Sequence, residues 1–329
     1  MKEVSMVAGR IVSLLASGTE ILCALGLSDR LAAISHECDF PPEILDRPRI
    51  TSTHLHAHAS SGEIDEAVRA CAADRRPLYE INVDVLSRIA PDLIVTQAHC
   101  EVCAVNLDEV ITITRTTPSL GRTRIVALQP ATLEDNWGDI LRVAQAAGCS
   151  DCSESLLRAL TQRVQAVQSK TAFLPIDRRP RVVCLEWIDP IMVAANWMPD
   201  LLSLAGGRCD LTTSGQRSRY TDWNDVRRFD PEVMVIMPCG FDLARTEREA
   251  PALFSLPGWL ELSAVRNRRV FVADGNAYFN RSGPRIVDSL EALASAIHPG
   301  LFRDFSSEGC PAADRLRGVL IPFRKPLFA

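Results

Sequence analysis

An α/β chain built as two similar lobes is predicted by three observations. Short runs rich in Val, Ile and Leu alternate with helix-period segments, the two halves echo one another, and 329 residues exceed one ordinary core. Apolar runs of this kind are what parallel strands become when crossover helices cover both faces of a sheet. The strands expected in the first half are Arg10 to Leu15, Leu31 to Ser35 and Asp92 to Thr96. In the second half they are Arg181 to Glu186, Val233 to Met237 and Val270 to Ala273.

The echo has two parts. PDLIVTQ at 91–97 matches PEVMVIM at 231–237, and RIVSLL at 10–15 matches RVVCLE at 181–186. Each member of the second pair is followed by a helix closing on glycine, EILCALGL and DLLSLAGG, as helix C-termini favour. Between the halves, Thr132 to Phe173 has no strand signal and opens with Thr132 and Asp135 in cap-like spacing. A break at Gly148 to Asp151 divides it, and the stretch from Ser153 to Phe173 makes a helix of about 30 Å. The expected division is an N-terminal lobe over 1–131, a connecting helical segment over 132–173 and a C-terminal lobe over 174–329.

Composition narrows the function. An apolar share of 47% with 23% charged residues and no low-complexity tract describes a soluble globular chain. A net charge of -5 argues against a nucleic-acid partner, which needs clustered cations, so Arg178-Arg179 and Arg266 to Arg269 read as solvated faces. Lys2 precedes an apolar run as in a signal peptide, but Arg10 and Glu20 interrupt that run, which reads better as strand, turn and helix. No stretch approaches the roughly 18 apolar residues of a transmembrane segment. The chain as written is expected to be cytoplasmic, or periplasmic if its start is misassigned. Eleven scattered cysteines, an odd number, suggest reduced thiols, with Cys23, Cys71, Cys184 and Cys209 as small packed hydrophobes.

Ligands of open parallel sheets sit beyond the carboxyl ends of the strands. That rule selects Ser17 to Glu20, HECDFPP at 36–42 and QAHCEVC at 97–103 in the first half. In the second it selects EWIDPIMVAANW at 186–197, PCGFD at 238–242 and DGNAYFNRSGPR at 274–285. Phe40, Trp187, Trp197, Phe241, Tyr278 and Phe279 either line a ligand cleft between the lobes or pack where the lobes meet. His36, Gln97, Glu186 and Asn276 supply polar contacts, with Glu37, Asp39, Asn196, Cys239 and Arg281 on the same loops. No GxGxxG, Walker, GxSxG or HExxH pattern occurs. The acid pairs Glu37 with Asp39 and Glu186 with Asp189 read more simply as hydrogen-bond acceptors or helix caps than as acid–base machinery, so a non-catalytic role is expected.

SHECDFPP, PDLIVTQ followed by CxxC, LEWIDP with a later Trp-Met-Pro, MPCGFD and DGNAYFNRSGPRIVD together resemble the cobalamin-binding-protein branch of the class III periplasmic binding proteins, from about Arg10 to Phe302. The resemblance implies two Rossmann-like lobes joined by a long helix, a ligand held between them, and a small-molecule ligand such as a corrinoid or other metal chelate. It also implies an ABC permease as partner.

A second reading centres on thiols. His36, Cys38, His99, Cys100 and Cys103 follow two strands at one sheet edge, and Cys-x-x-Cys spacing suits zinc or iron. Such a cluster holds a metal itself, touches the ligand or its metal centre, or packs inertly. A metalloprotein or thiol redox protein using Cys38, Cys100 and Cys103 is therefore the alternative. His54, His56 and His58 alternate in a Ser-rich turn region and read as a solvated loop.

Overall fold

The structure is a computed structural model that describes residues 9–55, 59–74, 76–98, 105–303 and 320–323. Two compact units emerge. The first gathers 1–59, 66–130 and 134–159, and the second gathers 60–65, 131–133 and 160–329.

The strands of the first half are β1 (Ile11–Ser13), β2 (Leu31–Ile34), β3 (Thr51–Thr53), β4 (Tyr79–Ile81), β5 (Leu93–Gln97) and β6 (Arg124–Leu128). Four of them form a parallel sheet in the order β2-β1-β5-β6, while β3 and β4 pair antiparallel on their own. The expected runs are thus found within a residue or two. Strand β6 was not expected, although Ile125 to Leu128 is an apolar run; only Leu128 in it is fully buried. Helices α1 (Ala16–Ala24), α2 (Ser61–Ala73), α3 (Val83–Ile89), α4 (Leu107–Thr116) and α5 (Leu133–Ala147) connect them. Asn82 and Asn106 cap α3 and α4 by accepting from Val85 N and Asp108 N. Val12, Leu14, Ile94, Leu86, Val110 and Leu120 pack into one core. Each buried aliphatic of this kind contributes about 1.5–3 kcal/mol.

Helix α6 (Ser150–Thr171) follows the expected break, where Gly148 takes a φ of 74°. The chain passes from the first unit to the second within this helix, after Ala159. In the second half β7 (Val182–Trp187), β8 (Met192–Val193), β9 (Arg219–Tyr220), β10 (Val233–Ile236), β11 (Val270–Ala273) and β12 (Leu320–Pro322) form one sheet in the order β12-β11-β10-β7-β8-β9. The three expected strands β7, β10 and β11 are its parallel centre, and β8, β9 and β12 flank it antiparallel. The helices are α7 (Met198–Leu204), α8 (Trp223–Phe229), α9 (Leu243–Glu249), α10 (Ser263–Arg266) and α11 (Ile286–Ile297).

The sequence echo is a structural one. Strands β5 and β10 each follow a short helix that ends in a left-handed residue, Ala90 at φ 45° and Asp230 at φ 47°. Each pairs in parallel with the strand of the second echo, β5 with β1 and β10 with β7. Helices α1 and α7 end before Gly26 and Gly206, at φ 76° and 79°.

Asp139 on α5 is 0% exposed, accepts from Gln129 N through both carboxylate oxygens and pairs with Arg142. Burial outweighs these partners and raises its pKa to about 6 from 3.8. Between those values the folded chain holds a proton that the unfolded chain has lost, so stability falls as pH rises from about 4 to about 6. The expected loss is about 3 kcal/mol at this site. Urea titrations from pH 4 to 7 should show it in the native protein and not in Asp139→Asn; identical pH profiles would refute it.

Candidate functional site

In the second unit the loops after β7, β10 and β11 are tied to one another by main-chain bonds. Cys239 N donates to Glu186 O at 3.1 Å, and Asn276 N donates to Phe241 O at 3.0 Å. The Asn280 amide donates to Met237 O at 2.9 Å and Gly275 O at 3.0 Å. Gly275 allows this approach: a Cβ there would stand 2.2 Å from Pro238 O and 2.5 Å from Met237 O. Asp242 and Asp274 cap the segments that follow, accepting from Arg245 N and Ala277 N at 2.7 Å each. Three stretches far apart in sequence therefore end at one sheet edge.

The side chains on these loops divide into an enclosed set and an accessible set. Phe279 is 0% exposed and Phe241 1%, and Trp197 is buried with its indole N–H donating to Phe279 O at 3.2 Å. The Phe241 ring is covered by Trp187 at 5.3 Å and by the Arg245 guanidinium at 3.7 Å. These three rings are enclosed within the loops of this unit. Arg281 is buried and donates to the Asn276 side chain at 3.1 Å. Partly open are Trp187, Asn196, Cys239, Asn276 and Tyr278. Arg285 stacks on the Tyr278 ring at 4.9 Å, and burial raises that phenol's pKa. Asn196 turns the chain with a φ of 51°.

Glu186 accepts from the Ser218 hydroxyl at 2.6 Å. Burial raises its carboxyl pKa, and the Ser218 bond offsets only part of that. Nothing in the sequence pattern pointed to Ser218, which lies 32 residues away. Equally unforeseen is the segment 60–65 of the same unit, where Trp187 Nε1 donates to Ser61 O at 3.2 Å and the Tyr220 hydroxyl donates to Asp65 at 2.6 Å.

In the first unit His36 follows β2, and its Nδ1 lies 2.7 Å from Thr51 Oγ1. The Thr51 hydroxyl also lies 3.0 Å from the Ser35 hydroxyl, which leaves Nε2 as the other ring nitrogen of His36. That Nε2 is enclosed and has no partner among the described residues. Burial and then the Arg49 charge lower the His36 pKa, which keeps the ring neutral at physiological pH. Gln97 is buried at the end of β5, Glu37 is half-buried, and Asp39 and Phe40 are exposed.

Cys38 is 1% exposed, and its thiol lies 3.1 Å from the Thr19 hydroxyl. His99, Cys100 and Cys103 lie outside the described residues, as do His56 and His58. Among the described residues no three His, Cys, Asp or Glu side chains come close enough to hold a metal ion. No described helix is long and apolar enough to cross a membrane.

Comparison with known proteins agrees with this architecture. The family described as periplasmic binding protein matches residues 11–277. The chain is 22% identical over 298 residues to the uncharacterized ABC transporter substrate-binding lipoprotein YvrC of Bacillus subtilis, spanning 90% of this chain and 82% of that protein. It is 23% identical over 295 residues to a vitamin B12-binding protein of Vibrio cholerae, spanning 88% of each. Two solved structures share the fold. The periplasmic vitamin B12 binding protein BtuF of Vibrio cholerae gives a TM-score of 0.62 at 22% identity, over 89% of this chain and 97% of that one. The periplasmic heme-binding protein RhuT from Roseiflexus sp. RS-1 gives 0.66 at 21% identity, over 89% and 99%.

Proposed function

Because the chain belongs to the periplasmic binding protein family, we propose that it is a non-catalytic binder of a corrinoid or a closely related metal chelate, delivered to an ABC permease. The observation that carries this reading is the convergence of the expected loops at strand carboxyl ends, with amide, indole and phenol groups partly open there. A corrinoid carries a broad apolar face and a rim of amides. Trp187 and Tyr278 of the second unit suit the face, while its Asn276 and Asn196 suit the rim.

Relatives whose names specify vitamin B12 or heme support a tetrapyrrole-like ligand without choosing between them. Calorimetry and absorbance titration with cyanocobalamin, haem and ferric siderophores separate the choices. Saturable one-to-one binding of a corrinoid is expected, with Asn276→Ala weakening it about tenfold through loss of one hydrogen bond. Binding of haem alone would move the assignment to haem, and no binding of any of the three would sink it. Uptake of labelled cobalamin by cells lacking the gene tests delivery, which requires a fall in the uptake rate.

A further inference from the structure

The α5–α6 junction of the first unit holds two cysteines three residues apart, in the order Cys149-Ser150-Asp151-Cys152. Helix α5 stops at Ala147, Gly148 turns the chain in a left-handed conformation, and α6 starts at Ser150. Cys149 thus stands just before the first helical residue and one turn from Cys152, whose N–H donates to Cys149 O at 3.0 Å. A turn closed in this way holds its end Cα atoms within about 7 Å, the reach of a disulfide. The neighbouring Cys152 is among the groups that raise the Cys149 thiol. Both are free; Cys152 is exposed and Cys149 half-buried.

We propose that Cys149 and Cys152 form a reversible dithiol–disulfide site that exchanges with low-molecular-weight disulfides. The exposed Cys152 thiolate attacks one sulfur of the small disulfide. That S–S bond breaks, one small thiol departs with its electron pair and takes a proton from water, and a mixed disulfide stays on Cys152. The Cys149 thiolate then attacks Cys152 Sγ and expels the second small thiol. Two protein thiols are oxidised to a disulfide while one small disulfide is reduced to two thiols, which end with the two protons that the cysteines lost.

Metal binding is disfavoured at the same pair, since no third His, Cys, Asp or Glu joins it among the described residues. Burial first, and then the neighbouring Cys152, push the Cys149 thiol up to about 11. Ring closure therefore quickens as pH rises, and once closed the ring resists reduction because a high-pKa thiol leaves poorly. The site is independent of the loops assigned to the ligand.

The test incubates the native full chain with oxidised glutathione, alkylates the remaining thiols and maps peptides by mass spectrometry. Cys149 and Cys152 are expected to become protected together as an internal disulfide, reopened by dithiothreitol, with closure accelerating between about pH 7 and pH 10. Cys149→Ser should retain glutathione on Cys152. Cys152→Ser should leave Cys149 alkylatable, with its oxidation slowed at least about tenfold. Glutathione lasting on Cys152 in the native chain, both thiols staying free, or equal oxidation of the two variants would each overturn the proposal.

Discussion

Replacing Arg163 with Ala should lower the unfolding free energy by about 3 kcal/mol, the range seen when one partner of a buried ion pair is removed. Arg163 projects from α6 onto α11, where Nε and Nη2 donate to both oxygens of Glu291 at 2.9 and 2.8 Å, and Nη2 also meets Asp288. The two carboxylates are one helical turn apart and only 5% and 3% exposed. Without the cation, like charges on adjacent turns oppose each other where water screens them weakly. Chemical denaturation of Arg163→Ala measures the loss. The triple variant with Asp288→Asn and Glu291→Gln should recover more than half of it, because neutral amides remove the repulsion. A single variant within about 0.5 kcal/mol of the native protein would show that the triad contributes only as an exposed pair does.

Gly275→Ala should be at least as severe, at about 3 kcal/mol or more. The obstacle is backbone: Pro238 O and Met237 O would stand 2.2 and 2.5 Å from the new Cβ, and both close strand β10. Met237 O cannot retreat without straining the bond it accepts from Asn280. The same change should abolish binding of any ligand at these loops, since it separates the 237–242 stretch from the 275–281 stretch. Unfolding curves together with ligand titration check both effects, and an Ala variant of native stability would mean that the two loops are not held together as described.

Much of this fold was legible because its central strands are buried on both faces. Val182 to Leu185 and Val233 to Ile236 are uninterrupted apolar runs, whose shortness and β-branched content favour strand over helix. Most of what escaped notice lacked that signature. Strands β8 and β9 are two residues long and β3 is Thr-Ser-Thr, while β6 has a similar run but is only partly buried. The candidate site was legible as a set of loops but not as a set of surfaces. An aromatic after a strand reads the same whether it opens outward or folds inward. For Phe279 the outcome is set in part by Trp197, 82 residues away, whose indole bonds its carbonyl. Cys38 shows the same limit: its spacing from other thiols suggested a ligand, and nothing in that spacing foretold its contact with Thr19.

The paired turns before β5 and β10 share a backbone but not a means of support. Left-handed geometry costs an L-residue about 1–2 kcal/mol, and Ala90 brings no side-chain group with which to offset it. Asp230 does: its carboxylate accepts from Ser263 N at 2.8 Å and Ser263 Oγ at 2.7 Å, and it meets Arg181. One bend is thus anchored by its own side chain and the other is carried by the chain around it. The unanchored copy marks where this protein still has stability to gain.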